Sequence, residues 1–183
     1  MAARRRRPAG AGGRDSAIQA EIGQRAPFRS AAQEAAVALL RTASMVARAV
    51  ARVVEPSGLS LAQYNALRIV RGAGPGGIPT LAIRDRMIEE GTTITRLLDK
   101  LERAGLVRRE RVAPDRRQVL CYATAAGARL LHRLDRLVDE RDAATMAALD
   151  ERQVEQLIGL LDAVRRGLAR RAPPSPGGHG RTS

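Results

Sequence analysis

The chain has 183 residues, room for one domain with a hydrophobic core and too few for two. Aromatic residues make up 2% of it and tryptophan is absent, which argues against single-strand nucleic-acid modules that stack bases on aromatic platforms. A formal net charge of +13 points instead to a polyanionic partner, and the lone Cys121 excludes an internal disulfide or a cysteine-based zinc site.

Residues 1–29 mix Arg, Pro and Gly without periodicity and read as a disordered Arg-rich tail. No apolar segment follows its Arg run, so it does not read as a secretory signal. Residues 170–183 read as a second disordered tail. The charge is uneven: +5 over residues 1–30, +3 over 170–183 and only +5 over everything between. Nearly all of it is Arg, Lys100 being the only lysine, so coding bias competes with function as its source. No stretch approaches the roughly 18 apolar residues of a membrane span, and a cytoplasmic location is expected by default.

From about Ser30 to Val54, Val37, Leu40, Ala43, Ala47, Val50 and Val54 recur at helical spacing. Pro56 stops that helix. Ser60 with Gln63 forms a capping-box pattern and Leu59 with Tyr64 takes the staple positions, so a second helix starts there with Leu61, Tyr64, Leu67 and Val70 inward. Gly72–Gly77 reads as a loop and lacks the ending of a phosphate-binding P-loop. Thr80 is expected to cap a short helix carrying Leu81, Ile83, Met87 and Ile88. Thr92 or Thr93 is expected to cap the next, with Ile94, Leu97, Leu98 and Leu101 inward and Gly105 as its stop. The period then changes: Val107–Arg111 and Gln118–Ala123 flank Ala113-Pro114-Asp115-Arg116 as a hairpin. Thr124 opens a long helix with Leu130, Leu134, Leu137 and Val138 on one side. Leu149-Asp150 and Gln153-Val154 open a last one with Leu157, Ile158, Leu161, Val164 and Leu168 apolar. The expected fold is mainly α with a small β-hairpin wing, a winged helix-turn-helix of the α+β kind.

The helix beginning near Thr93 would show Thr92, Thr93, Thr95, Arg96, Asp99, Lys100 and Arg103 opposite its apolar face. In a helix-turn-helix the N-terminal residues of the second helix reach base edges in the major groove. Short hydroxyl side chains permit close approach there, and Arg96 is long enough for a bidentate contact to guanine. Lys100 and Arg103 point at phosphates. An ordinary solvated helix face has a similar composition, but the hairpin tips the balance. It clusters Arg108, Arg109, Arg111, Arg116 and Arg117, and a thin basic loop suits the minor groove. Asp115 is placed to orient one of those guanidinium groups.

Thr95-Arg96-Leu97-Leu98-Asp99-Lys100-Leu101-Glu102, Gly105-Leu106-Val107-Arg108-Arg109, Asp115-Arg116-Arg117 and Thr124–Gly127 together resemble the MarR family signature, over about Ala35 to Leu168. The resemblance implies a homodimer built by the terminal helices (about 30–54 and 124–169) and a DNA-binding winged helix-turn-helix over about 60–123. It implies base contacts from Thr93, Thr95 and Arg96, a wing arginine at Arg117 with Asp115 as its partner, and a pseudo-palindromic operator. It also implies a repressor that a small, often aromatic or phenolic, molecule releases from DNA. Pro79-Thr80 departs from the family's usual Ser-x-x-Leu-Ala opening of the preceding helix.

Other readings carry less. Cys121 as a redox sensor competes with Cys121 as a small buried core residue. His132 has no ligand partner at metal-binding spacing, and no nucleophile, metal or phosphate motif favours an enzyme or a cofactor. A winged helix that binds an acidic protein instead of DNA is a further alternative.

Overall fold

The computed structural model describes residues 16–88, 93–111 and 119–170. The expected tails at 1–15 and 171–183, and the hairpin tip with Asp115, Arg116 and Arg117, lie outside the described residues. By chain contacts the molecule divides after Arg52 into two units.

The N-terminal unit holds helix α1 (Ala17–Glu21) and most of helix α2 (Ala31–Val54). The expectation of an unstructured tail up to residue 29 is therefore corrected over Ala17–Glu21. The Ser16 hydroxyl accepts the Gln19 N–H at 3.3 Å and caps this short helix. Arg41 on α2 donates to Glu21 at 2.7 Å, a contact twenty residues long that local periodicity does not reveal.

The second unit starts with the end of α2, where Val54 is fully buried, and a single helical turn over Glu55–Ser57 containing Pro56. Helix α3 (Leu61–Gly72) follows, then strand β1 (Ile78–Pro79) and helix α4 (Thr80–Arg84). Helix α5 (Ile94–Arg103), strands β2 (Val107–Arg111) and β3 (Val119–Ala123), helix α6 (Ala125–Met146) and helix α7 (Glu151–Ala169) complete it.

Helix α3 begins where its cap chemistry dictates. The Ser60 hydroxyl accepts the Gln63 N–H at 3.2 Å, and the Gln63 side chain returns the bond to the Ser60 N–H at 2.8 Å. Its Tyr64, Leu67 and Val70 are buried against α4, α5, α6 and β3, and Ile83, Leu98, Leu101 and Leu131 complete the centre of the core. Helix α5 buries the four residues its 3.6-residue period selects, Ile94, Leu97, Leu98 and Leu101. It ends at Gly105, whose φ of +68° is left-handed backbone that glycine adopts without a side-chain clash.

The sheet is antiparallel in the order β1-β3-β2, with Arg109 opposite Cys121 and Ile78 also opposite Cys121. The strand β1 was not anticipated, since the stretch up to Gly77 reads as a plain connector. Two further expectations are corrected here. Thr80 does not cap α4: it is the first helical residue, and its hydroxyl faces the Val119 carbonyl at 3.5 Å and the Cys121 sulfur at 3.8 Å. On α6 the buried positions are Leu131, Leu134 and Val138, while Leu137 is exposed and Leu130 half-buried. Fold class is as expected: mostly helical, with a small antiparallel sheet whose β2–β3 hairpin follows the helix-turn-helix.

Candidate nucleic-acid interface

Two tethers set the position of α5. On one side, the Asn65 side chain of α3 accepts the Ile88 N–H at 3.0 Å and holds the chain just before the turn that leads into α5. Asn65 is buried with this one bond supplying its acceptor, and the sequence reading did not single it out. On the other side, Arg109 of β2 grips the last turns of α5. Its Nε donates to Glu102 at 2.8 Å, its Nη2 donates to Asp99 at 2.6 Å, and its backbone N–H donates to Glu102 at 3.2 Å.

With the apolar face of α5 buried and its ends held, the remaining face is open. Thr93, Thr95, Arg96, Lys100 and Arg103 are all exposed. Thr93 occupies the cap position without a side-chain cap bond, so its hydroxyl is not engaged by the helix start as expected. Arg103 turns back to its own helix, its Nε donating to the Asp99 carbonyl at 3.2 Å. Gln63, Thr93, Arg96, Leu97 and Lys100 border a shallow depression of about 200 Å³ between α3 and α5. The site thus presents hydroxyls and cations on one convex helix, with no buried cleft suited to catalysis.

On the sheet, Arg111 is exposed at the end of β2. Arg108 lies on the other face of the strand, its guanidinium 4.0 Å from the centroid of the Tyr122 ring and paired with Glu110. Arg109 is placed differently from its expected role. Its guanidinium is turned to two carboxylates of α5 rather than to solvent. Thr92, Asp115, Arg116 and Arg117 lie outside the described residues.

A second ion pair joins α3 to α6: Arg71 donates to both oxygens of Asp135, at 2.7 and 3.0 Å. Bonding to Arg71 holds the Asp135 carboxyl below the usual carboxylate range, and bonding to Arg109 does the same for Glu102. Both folded-state values lie below the unfolded ones, so their contribution to stability is complete above about pH 4.5 and is lost as pH falls through the folded values. We expect the urea midpoint to decline below about pH 4. The Asp135→Asn variant should show a lower midpoint at pH 7 and a shallower acid decline; a decline parallel to that of the wild type would remove Asp135 from the account.

Cys121 is fully buried in β3, and that burial pushes its thiol pKa up, against the thiolate that oxidant sensing needs. Among the described residues no group of three or more His, Cys, Asp or Glu side chains is arranged to hold a metal.

The MarR family profile matches residues 59–119, the stretch from the α3 cap to β3. Over 133 residues the chain is 30% identical to the HTH-type transcriptional regulator PecS of Dickeya dadantii, covering 71% of this chain and 79% of that protein. The chain belongs to the MarR family. A MarR transcription factor from Planctomyces limnophilus superposes with a TM-score of 0.58 at 35% identity, over 75% of this chain and 99% of its own. A mutant E. coli MarR complexed with operator DNA shares the fold, with a TM-score of 0.63 at 24% identity over 69% and 89% of the two chains. As a MarR protein the chain is a DNA-binding transcriptional regulator, not an enzyme. Among the described residues no helix is long and apolar enough to cross a membrane.

Proposed function

We propose that this MarR protein is a homodimeric repressor that reads a pseudo-palindromic duplex operator in the cytoplasm. The observation that carries the reading is the division of α5: four buried aliphatic residues on one face, and Thr93, Thr95, Arg96, Lys100 and Arg103 exposed on the other. Thr93, Thr95 and Arg96 contact bases in the major groove, with Thr92 beside them, and Lys100, Arg103 and Arg111 hold phosphates. The hairpin places Arg116 and Arg117 in the minor groove, Asp115 orienting Arg117. The operator complex of E. coli MarR, a protein of the same fold, supports the duplex as partner.

Dimerisation through the terminal helices is supported by α7. None of its residues is buried in the single chain, although Leu157, Ile158, Leu160, Leu161, Val164 and Leu168 give it an apolar side. A helix of this length with no buried face needs a partner to be stable. Twofold symmetry then sets two recognition helices about one DNA turn apart. Release by a small aromatic or phenolic ligand would follow from tighter binding to a DNA-incompetent spacing of those helices.

Fluorescence anisotropy with the gene's own upstream duplex against a scrambled duplex tests the reading. Selective binding is expected, and Arg96→Ala should weaken it by about 10- to 100-fold, the worth of one bidentate base contact. Equal affinity of wild type and Arg96→Ala, or no duplex binding at all, would overturn it in favour of a protein-binding winged helix. Calorimetric titration with a panel of phenolic and drug-like compounds tests the ligand; no binding across the panel would count against a switch of that kind.

A further inference from the structure

We propose that Arg109 is a positioning residue of the DNA interface, tying the wing strand to the recognition helix without touching DNA; the inference rests on the DNA-binding reading above. Strand alternation is the first reason. Val107 is buried on the core side of β2, and Arg109, two residues on, falls on the same side, in register with the fully buried Cys121. Arg108 and Glu110 take the other side and are exposed. The strand therefore delivers this guanidinium beneath α5 rather than into solvent.

What it meets there is the second reason. Asp99 and Glu102 are three residues apart on α5 and so share one helix face. Arg109 spans both with its planar fork, and Glu102 also takes the Arg109 backbone N–H, so a single carboxylate fastens side chain and strand together. The cation is the most enclosed member of the trio: its side chain is 24% exposed, against 41% for Asp99 and 38% for Glu102. Reaching a phosphate would require it to leave three charge-assisted bonds and strand two carboxylates beside a polyanion. Arg96, Lys100 and Arg103 on the same helix face solvent and need no such rearrangement.

The consequence is a fixed angle between α5 and the hairpin that β2 begins, so that helix and wing can enter adjacent grooves together. Loss of the tie should weaken binding without changing the number of phosphates neutralised. The salt dependence of affinity separates the two roles, because its slope counts phosphate contacts.

The experiment is operator affinity of the full chain across a salt series for wild type, Arg109→Ala, Arg109→Lys, Glu102→Ala and Lys100→Ala. Lys100→Ala, a phosphate contact in this reading, should lower the slope by about one. Arg109→Ala should lose about tenfold in affinity with the wild-type slope, and Arg109→Lys should recover only part of that loss. Glu102→Ala gives the sharper contrast. As half of the tie, its removal should weaken binding, whereas deleting a carboxylate near DNA by itself would strengthen it. Hydroxyl-radical footprints of the Arg109 and Glu102 variants should lose minor-groove protection while guanine N7 protection in the major groove persists. A slope reduced by about one in Arg109→Ala, full recovery by Arg109→Lys, or tighter binding by Glu102→Ala would each overturn the inference. Should Arg109→Ala fail to fold, Arg109→Lys and Glu102→Ala carry the same comparison. Failure of the wild type to bind any duplex would instead remove the DNA reading itself, and this inference with it.

Discussion

Replacing Gly127 by alanine should lower stability by about 3 kcal/mol, a fall in melting temperature of roughly 6–12 °C for a domain of this size. Helix propensity alone predicts the opposite sign, a gain of about 0.5–1 kcal/mol for Gly→Ala inside a helix. The clash decides. A Cβ on Gly127 would stand 2.2 Å from the Leu106 carbonyl oxygen and 3.2 Å from a Leu67 methyl. The near neighbour is backbone, so it cannot step aside by changing rotamer. That carbonyl also accepts the Thr124 N–H at 3.0 Å, and the Thr124 hydroxyl donates to the Gly105 carbonyl at 2.6 Å while capping Gly127 at 3.1 Å. Pushing α6 outward would stretch the whole junction between the end of α5, β2 and the long helix. Thermal unfolding followed by circular dichroism checks this, and an unchanged or raised midpoint would show that the junction yields at little cost.

Raising salt from 50 to 200 mM should weaken operator binding by roughly 10³- to 10⁵-fold, if a dimer neutralises about six to ten phosphates. Each protomer shows Arg96, Lys100, Arg103 and Arg111 exposed around α5 and the end of β2, which for two protomers falls in that range. Each neutralised phosphate releases condensed counterions, and the entropy of that release shrinks as bulk salt rises. Anisotropy titrations at four or five salt concentrations give the slope directly. A nearly flat dependence would mean that these cations do not meet phosphates, and would favour a protein partner for the same face.

Much of this protein is written locally. The Ser60–Gln63 capping box that starts α3, the Asp150–Gln153 box that starts α7 and the Gly105 stop after α5 all form as their residue types imply, because both partners lie within one helical turn. The four buried residues of α5 follow from period alone, and with them the exposed Thr and Arg face that forms the candidate interface. The order of helices and hairpin was legible for the same reason: each element carries its own period and punctuation.

What stayed hidden depends on partners far along the chain. β1 is two residues long, too short for any period, and exists because Ile78 finds Cys121 forty-three positions later. The same pairing turns the Thr80 hydroxyl away from capping and toward β3. On α6 the leucines at 130, 131, 134 and 137 are all candidates for the inner face, and only packing against α3 and β3 decides that Leu131 goes in and Leu137 stays out. Arg109 shows the boundary most clearly. Composition counts it with the wing arginines, and alternation from Val107 was a signal that it points inward. That Asp99 and Glu102 wait there is decided only when β2 folds back under α5. Sequence by itself determined which segments are helices and which face of each is apolar, since those are short-range properties of the backbone and its neighbours. Tertiary structure decided which charges stay free for a polyanion and which are bound to each other, since that depends on register and on how the elements meet.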